Sequence, residues 1–177
     1  MSDLHDLILQ EHSKTHTLFV AQVLKEKPEL IAQVLEMISL EEEPVSRRAA
    51  WALRTLFDGN KALLKPYADE IILQLQRLKS PPILRAYLAI ISKTDIHKKW
   101  HAFLIQYTSE IILNSHSEIA VKMFALEIFF QISKSQPELL YELEQMIDYI
   151  YPDGSRGIQN KCRNMTKWIE KVKATSK

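Results

Sequence analysis

PVSRRAAWALRTLF, residues 44–57, reads as a helix built to be surrounded. Ala49, Ala50 and Ala52 are small enough to let other backbones come close. Leu53, Leu56 and Phe57 supply an apolar side at helical spacing. Such a helix cannot bury its surface alone, so the stretch implies helical neighbours on both sides. The acidic run Glu41-Glu42-Glu43 precedes Pro44, where negative charge suits the positive end of the helix dipole. Asp58-Gly59-Asn60 closes the helix, with Gly59 expected in the left-handed conformation that ends many helices.

Working outward, the same reading repeats. A short element covers residues 3–10, and a helix over 12–25 carries Leu18, Phe19, Val23 and Leu24. Pro28 opens the next helix, whose apolar face is Leu30, Ile31, Val34, Leu35 and Ile38. Ser39, three residues before Glu42, is a candidate cap for the central helix. Residues 61–78 form the partner of the central helix, with Pro66 bending its first turn or delaying its start. Further helices are expected over 83–92, 96–113 (capped by Thr94-Asp95) and 118–132 (capped by Ser117). One over 136–149 begins at the capping box Ser135-Gln136-Pro137-Glu138, and a basic one covers 156–173.

Composition fits this pattern. The chain has 177 residues, 46% hydrophobic and 25% charged, enough for a continuous core in one domain over 1–177. Its three glycines disfavour phosphate-cradling loops and tight hairpins. Cys162 is the single cysteine, which excludes an intrachain disulfide and suits a reducing compartment. Asp3, His5, Asp6 and Glu11 exclude a signal-peptide core near the start, and no apolar run reaches membrane-spanning length. A cytoplasmic location is expected. Net charge is +1, yet it is distributed as −6 over residues 1–43, +7 over 44–100, −6 over 101–153 and +6 over 154–177. Successive layers then attract one another, or present separate basic and acidic surfaces.

The helices pair, and the pairs recur. Arg48, Arg85 and Lys122 stand 37 residues apart each time, and Lys161 comes 39 later. Small residues come after the basic ones: Ala49 and Ala52, Ala86 and Ala89, then Ala120 and Ala125. Two helices per unit at this period mark an α-solenoid. The central stretch resembles the first helix of a HEAT or armadillo-type repeat. The family's acidic residue, six positions before the basic one, has a match at Glu42, whereas Lys79 and His116 occupy the later equivalents. A closer resemblance runs through SRRAAWAL at 46–53, KPYADEI at 65–71 and KCRNMTKWIEKV at 161–172. These segments are similar to a group of small, uncharacterised bacterial HEAT-like proteins. Some of that group carry the label adenylosuccinate lyase. The lyase's serine-rich signature loop has no counterpart in this sequence, so the resemblance implies a fold and no reaction. The fold class expected is all-α: a short right-handed α-solenoid (α-α superhelix) of about four stacked helix pairs plus a C-terminal helix.

The candidate chemistry is sparse. His12 with His16, and His97 with His101, have the i,i+4 spacing of a metal edge, but neither pair has a clear third ligand. Cys162 lies between Lys161 and Arg163, which would lower a thiol pKa if the charges converged. Its register matches Ala49 and Ala86, which points instead to a small buried residue. No P-loop, GxGxxG or GxSxG string is present. No catalytic residue, metal or cofactor is expected. Trp51, Trp100 and Trp168 read first as packing groups between layers. Trp51 beside Arg47 and Arg48, or Trp100 beside Lys98 and Lys99, also suits stacking on a base or a peptide side chain.

The expected function is a non-enzymatic scaffold binding a protein or peptide through its concave face. The second helices of the pairs (61–78, 96–114, 136–150) would line that face, with Lys65, Tyr67, Gln74, Arg77, Lys99, Gln106 and Tyr107 in contact. Arg47, Arg48 and Trp51 complete the candidate set. The alternative is nucleic-acid binding through the basic blocks 44–100 and 154–177, since HEAT folds include DNA glycosylases that act on alkylated bases. A near-neutral total charge, with acidic blocks interrupting the basic ones, favours the protein partner.

Overall fold

A computed structural model of the protein describes residues 2–175. Among them ten α-helices succeed one another with no strand: α1 (Ser2–Leu9), α2 (Lys14–Glu26), α3 (Ile31–Ser39), α4 (Val45–Gly59), α5 (Ala68–Gln74), α6 (Pro81–Ile91), α7 (His101–Leu113), α8 (Ile119–Ser133), α9 (Leu140–Ile150) and α10 (Arg156–Thr175). Their contacts group into two compact units, Met1–Asp95 and Ile96–Lys177.

In the first unit α4 is the hub. It lies against α1, α2, α3 and α6. Ala49, Ala50 and Ala52 are buried together with Leu53, Leu56 and Phe57, so the small residues and the apolar side both face neighbours. Ser46 is also fully buried, and its Oγ donates to Met37 O at 2.6 Å, which satisfies the hydroxyl. In the second unit α8 occupies the equivalent place, packed on α7 and α9, with α10 on α9. Its sequence IAVKMFALEIFFQIS is apolar almost all round, as suits a helix enclosed on several sides. Leu126, Phe129, Leu143, Ile147, Cys162 and Ile169 form the centre of that core.

A local feature recurs that capping rules do not anticipate. The second helix of each pair is entered through a 3-10 turn: Pro28–Leu30 before α3, Lys61–Tyr67 before α5, Lys98–Trp100 before α7, and Pro137–Leu139 before α9. Proline fixes its φ and donates no N–H, so it fits a tight first turn whose donor would be unpaired anyway. The expected helix over 61–78 is therefore a seven-residue 3-10 segment and a seven-residue α5, with turns beyond Gln74. The helices expected from 96, 118 and 136 begin at His101, Ile119 and Leu140.

Several expected caps point elsewhere. Ser39, Thr94 and Ser135 donate their hydroxyls back to the carbonyls of Glu36, Ile90 and Ile132. Each thus satisfies the end of the preceding helix rather than the start of the next. Position Glu118, not Ser117, is the boundary residue of α8, and no side chain caps it. Gly59 is not left-handed, and among the described residues the positive φ belongs to Glu41, at 53°. Helix α4 closes instead on extended Asn60, whose N–H reaches Leu56 O.

Polar links reach across about one repeat. Arg48 Nη1 donates to Leu9 O, 39 residues back, at 2.8 Å. Glu41 Oε1 accepts from Lys79 N at 2.8 Å and Ser80 N at 2.6 Å, 38 and 39 residues on. In the second unit Gln136 pairs with His101 at 2.9 Å across 35 residues, and Lys161 with Glu127 across 34. Glu41 is a remote acidic cap for α6, which has no cap of its own from Ser80. Glu41→Ala should therefore lower stability by about 1–2 kcal/mol in urea denaturation. Glu41→Gln, which keeps an acceptor oxygen, should cost less.

Tyr87 on α6 is fully buried, and its hydroxyl donates to Gln74 Oε1 at 2.6 Å. Burial, and then the Glu70 carboxylate, push its pKa far above the ordinary phenol value. The unfolded chain ionises this tyrosine near pH ~10 while the folded chain keeps it protonated. Its contribution to stability is thus complete below pH ~10 and declines as pH rises beyond it. Urea midpoints between pH 8 and 11 should fall more for the native chain than for Tyr87→Phe.

Candidate interaction surface

The candidate residues fall into three groups, and each group is set by its own helix. On α4, Arg47 is exposed and pairs with Glu43 at 3.2 Å, one turn back. Trp51, one turn on, is 38% exposed and meets the His12 ring edge-on, with centroids 5.9 Å apart at 76°. Arg48 turns the other way, to the end of α1, and is engaged there by Leu9 O. Arg47 and Trp51 share a face; Arg48 serves packing.

The second group lies around α5. Lys65 is exposed within the 3-10 segment, Tyr67 is half-buried at its end, and Arg77 is exposed in the turn after α5. Gln74 is committed internally. It accepts from Tyr87, and its Nε2 donates to Glu70 at 3.2 Å and to Leu35 O at 3.4 Å. Its amide serves as a joint between helices α3, α5 and α6, and Leu35 lies 39 residues away in sequence.

The third group is the most continuous. Along the entry and first two turns of α7, Trp100, Phe103 and Tyr107 form a row of half-exposed rings. Trp100 and Phe103 centroids are 6.2 Å apart at 67°, and Phe103 and Tyr107 are 5.4 Å apart at 34°. Lys99 Nζ stands 5.5 Å from the Trp100 ring centroid, within cation–π range. Gln106 is exposed beside the row and donates to Glu110 at 3.1 Å. Burial, and then Glu110, raise the Tyr107 pKa. Phe103 was not among the expected contacts. Its spacing from Trp100 and Tyr107, three and four residues, is the signal that places it with them.

The recurring basic positions are used differently from one another. Arg48 caps the end of α1, and Lys122 is buried with Nζ 4.8 Å from the Tyr149 ring centroid. Lys161 pairs with Glu127, and Arg85 is exposed on α6. Repeat register has thus placed three of these cations against neighbouring elements. The histidine pairs are divided among other partners. His16 Nε2 donates to Leu7 O at 2.7 Å, His97 Nδ1 accepts from Lys99 N, and His101 Nδ1 meets Gln136. Among the described residues no three His, Cys, Asp or Glu side chains converge as a metal site would require. Cys162 is buried, and burial above all pushes its thiol pKa up, against the smaller pull of Arg163. Of the other tryptophans, Trp168 packs edge-on against Phe130 with centroids 5.2 Å apart. Among the described residues no helix is long and apolar enough to cross a membrane.

These helix pairs and their period-spaced links define a helical-repeat protein. The HEAT repeat domain family matches residues 4–169, and the chain belongs to that family. No curated protein and no solved structure gives a match. Members of the family are helical repeat scaffolds, commonly of protein interactions.

Proposed function

We propose that this protein is a non-enzymatic scaffold that holds a peptide of a partner protein against the exposed face of α7. The observation that carries this reading is the row Trp100–Phe103–Tyr107 with Lys99 at its head. Half-exposed rings in line give an apolar platform at small entropic cost, and Lys99 adds attraction for an acidic residue. The fitting ligand is a peptide with an acidic side chain next to an apolar run. Arg77, Lys65 and Tyr67 around α5, and Arg47 with Trp51 on α4, are further contact candidates for larger partners.

Membership of a scaffold family supports a non-enzymatic role. So does the use of His16, His97 and His101 in hydrogen bonds to backbone and amide groups rather than in acid–base pairs. We further assign the protein to the cytoplasm, on the support of its buried free thiol.

The test is crosslinking capture with the native chain, Lys99→Glu and Tyr107→Ala, alongside retention on heparin and DNA at low salt. Both variants should lose the same partner at least about fivefold, a change of about 1 kcal/mol or more. Partners retained equally by both variants would overturn the α7 face. Retention on DNA that falls steeply with salt would favour the nucleic-acid alternative instead.

A further inference from the structure

Opposite charge blocks of the sequence meet in the last two helices. Helix α9 carries Glu142, Glu144 and Asp148 with no Lys or Arg, whereas α10 carries six cations and one carboxylate, Glu170. Where the two helices touch, opposite groups pair. Lys173 Nζ donates to both oxygens of Glu144, at 2.8 and 2.7 Å. Arg163 donates to the Tyr151 hydroxyl at 2.9 Å, with its guanidinium 5.9 Å from that ring's centroid. Beyond this seam each helix has a solvent-facing stripe of the same chemistry. Glu138, Tyr141, Gln145 and Asp148 recur at intervals of three and four along α9, with Glu142 beside them, and all are exposed. Tyr141 is 70% exposed. Arg156, Asn160, Arg163, Lys167 and Lys171 recur in the same way along α10, and all are exposed. Among the described residues, the side chains of Glu138, Glu142 and Asp148 on one stripe, and of Arg156, Lys167 and Lys171 on the other, have no ion pair or hydrogen bond. Exposed positions on α4 neutralise themselves instead, Glu43 with Arg47 and Arg54 with Asp58, each one turn apart.

We propose that a second copy of this chain covers these stripes, with α9 of one copy against α10 of the other. Charge complementarity names the occupant. The complement that each stripe lacks is carried by the other stripe of the same chain, in the residue types that already pair at the α9–α10 seam. Since both stripes belong to neighbouring helices of one unit, the expected assembly is a two-fold dimer that uses each stripe once per copy. Tyr141 supplies the apolar centre: a tyrosine ring packs on the aliphatic stems of lysines and attracts their ammonium groups. Exposed ion pairs add little each, so the dimer is weak and depends on low ionic strength. The contact shares no residue with the α7 row, and the two readings fail separately.

The experiment is sedimentation velocity of the full chain over a range of concentrations, at low and at high salt. The native chain should dimerise with a Kd of tens of micromolar at about 25 mM salt, and at least about tenfold more weakly at about 500 mM. Two double variants test the stripes separately: Lys167→Glu with Lys171→Glu, and Glu142→Lys with Asp148→Lys. These positions are exposed and unpaired, so the variants keep the fold. Each variant alone should dimerise at least about tenfold more weakly than the native chain, because attraction becomes repulsion. Mixed in equal amounts, the two should associate with about native affinity, since each supplies the charge that the other has lost. Misfolding of either variant does not produce that rescue. Tyr141→Ala should weaken the dimer by about fivefold. A native chain that stays monomeric at low salt, association indifferent to salt, or a mixture as weak as its components would each overturn the proposal. A monomer retained on DNA through Lys167 and Lys171 would also overturn it and give the α10 stripe to nucleic acid.

Discussion

Phe129→Ala is expected to destabilise the second unit by about 3–5 kcal/mol, the upper part of the range for a buried aromatic. Phe129 is fully buried at the centre of a cluster drawn from four helices: Ile112 of α7, Leu126 of α8, Leu143 and Ile147 of α9, and Cys162 and Met165 of α10. Removing the ring opens a space that these side chains cannot jointly close, since each is held by its own helix. The loss therefore includes both the transfer energy of the ring and the cavity left behind. Thermal unfolding, with hydrogen exchange read out in α8 and α9, should show the loss there. Phe129→Leu, which keeps most of the volume, should cost a fraction of this. Similar, small effects from both variants would mean that α8 is not the centre of its unit.

The hub helix and the pairing were legible because burial on several sides forces a pattern. Three alanines beside Leu53, Leu56 and Phe57 admit few other readings. Element starts were less legible, for a physical reason. Ser39, Thr94 and Ser135 have the side chains of N-caps, and each instead bonds the carbonyl three or four residues behind it. The sequence contains the hydroxyl but not its direction. A better signal was the proline-led turn, KPEL at 27–30 and QPEL at 136–139, which marks the 3-10 entry to a second helix. For the candidate surface, residue type alone misled most at Arg48 and Gln74. Both are long polar side chains in exposed-looking registers. Both have partners 39 residues away, beyond any local window. Lys99, Gln106 and Tyr107 were legible as one helical face, because i,i+3 and i,i+4 neighbours on a helix stay neighbours.

Leu53→Ala and Ala49→Leu should both destabilise the first unit, from opposite directions. Leu53 is fully buried on α4, which carries α2, α3 and α6 around it, and truncation should cost about 2–5 kcal/mol. Ala49 is equally buried on the same helix. Adding three carbons there pushes a neighbour away from the α4 backbone, at about 1–3 kcal/mol. Exposed Ala174 on α10 is the control, and Ala174→Leu should stay within about 0.5 kcal/mol of the native chain. Urea denaturation of the three variants separates two architectures. A helix lying on one side of a bundle tolerates growth at a small residue by sliding outward. A helix enclosed by neighbours on several sides has no outward direction, so adding volume and removing it both cost stability. If Ala49→Leu were neutral while Leu53→Ala was not, α4 would have a free side, and the stacking of helix pairs around it would be the wrong account of this unit.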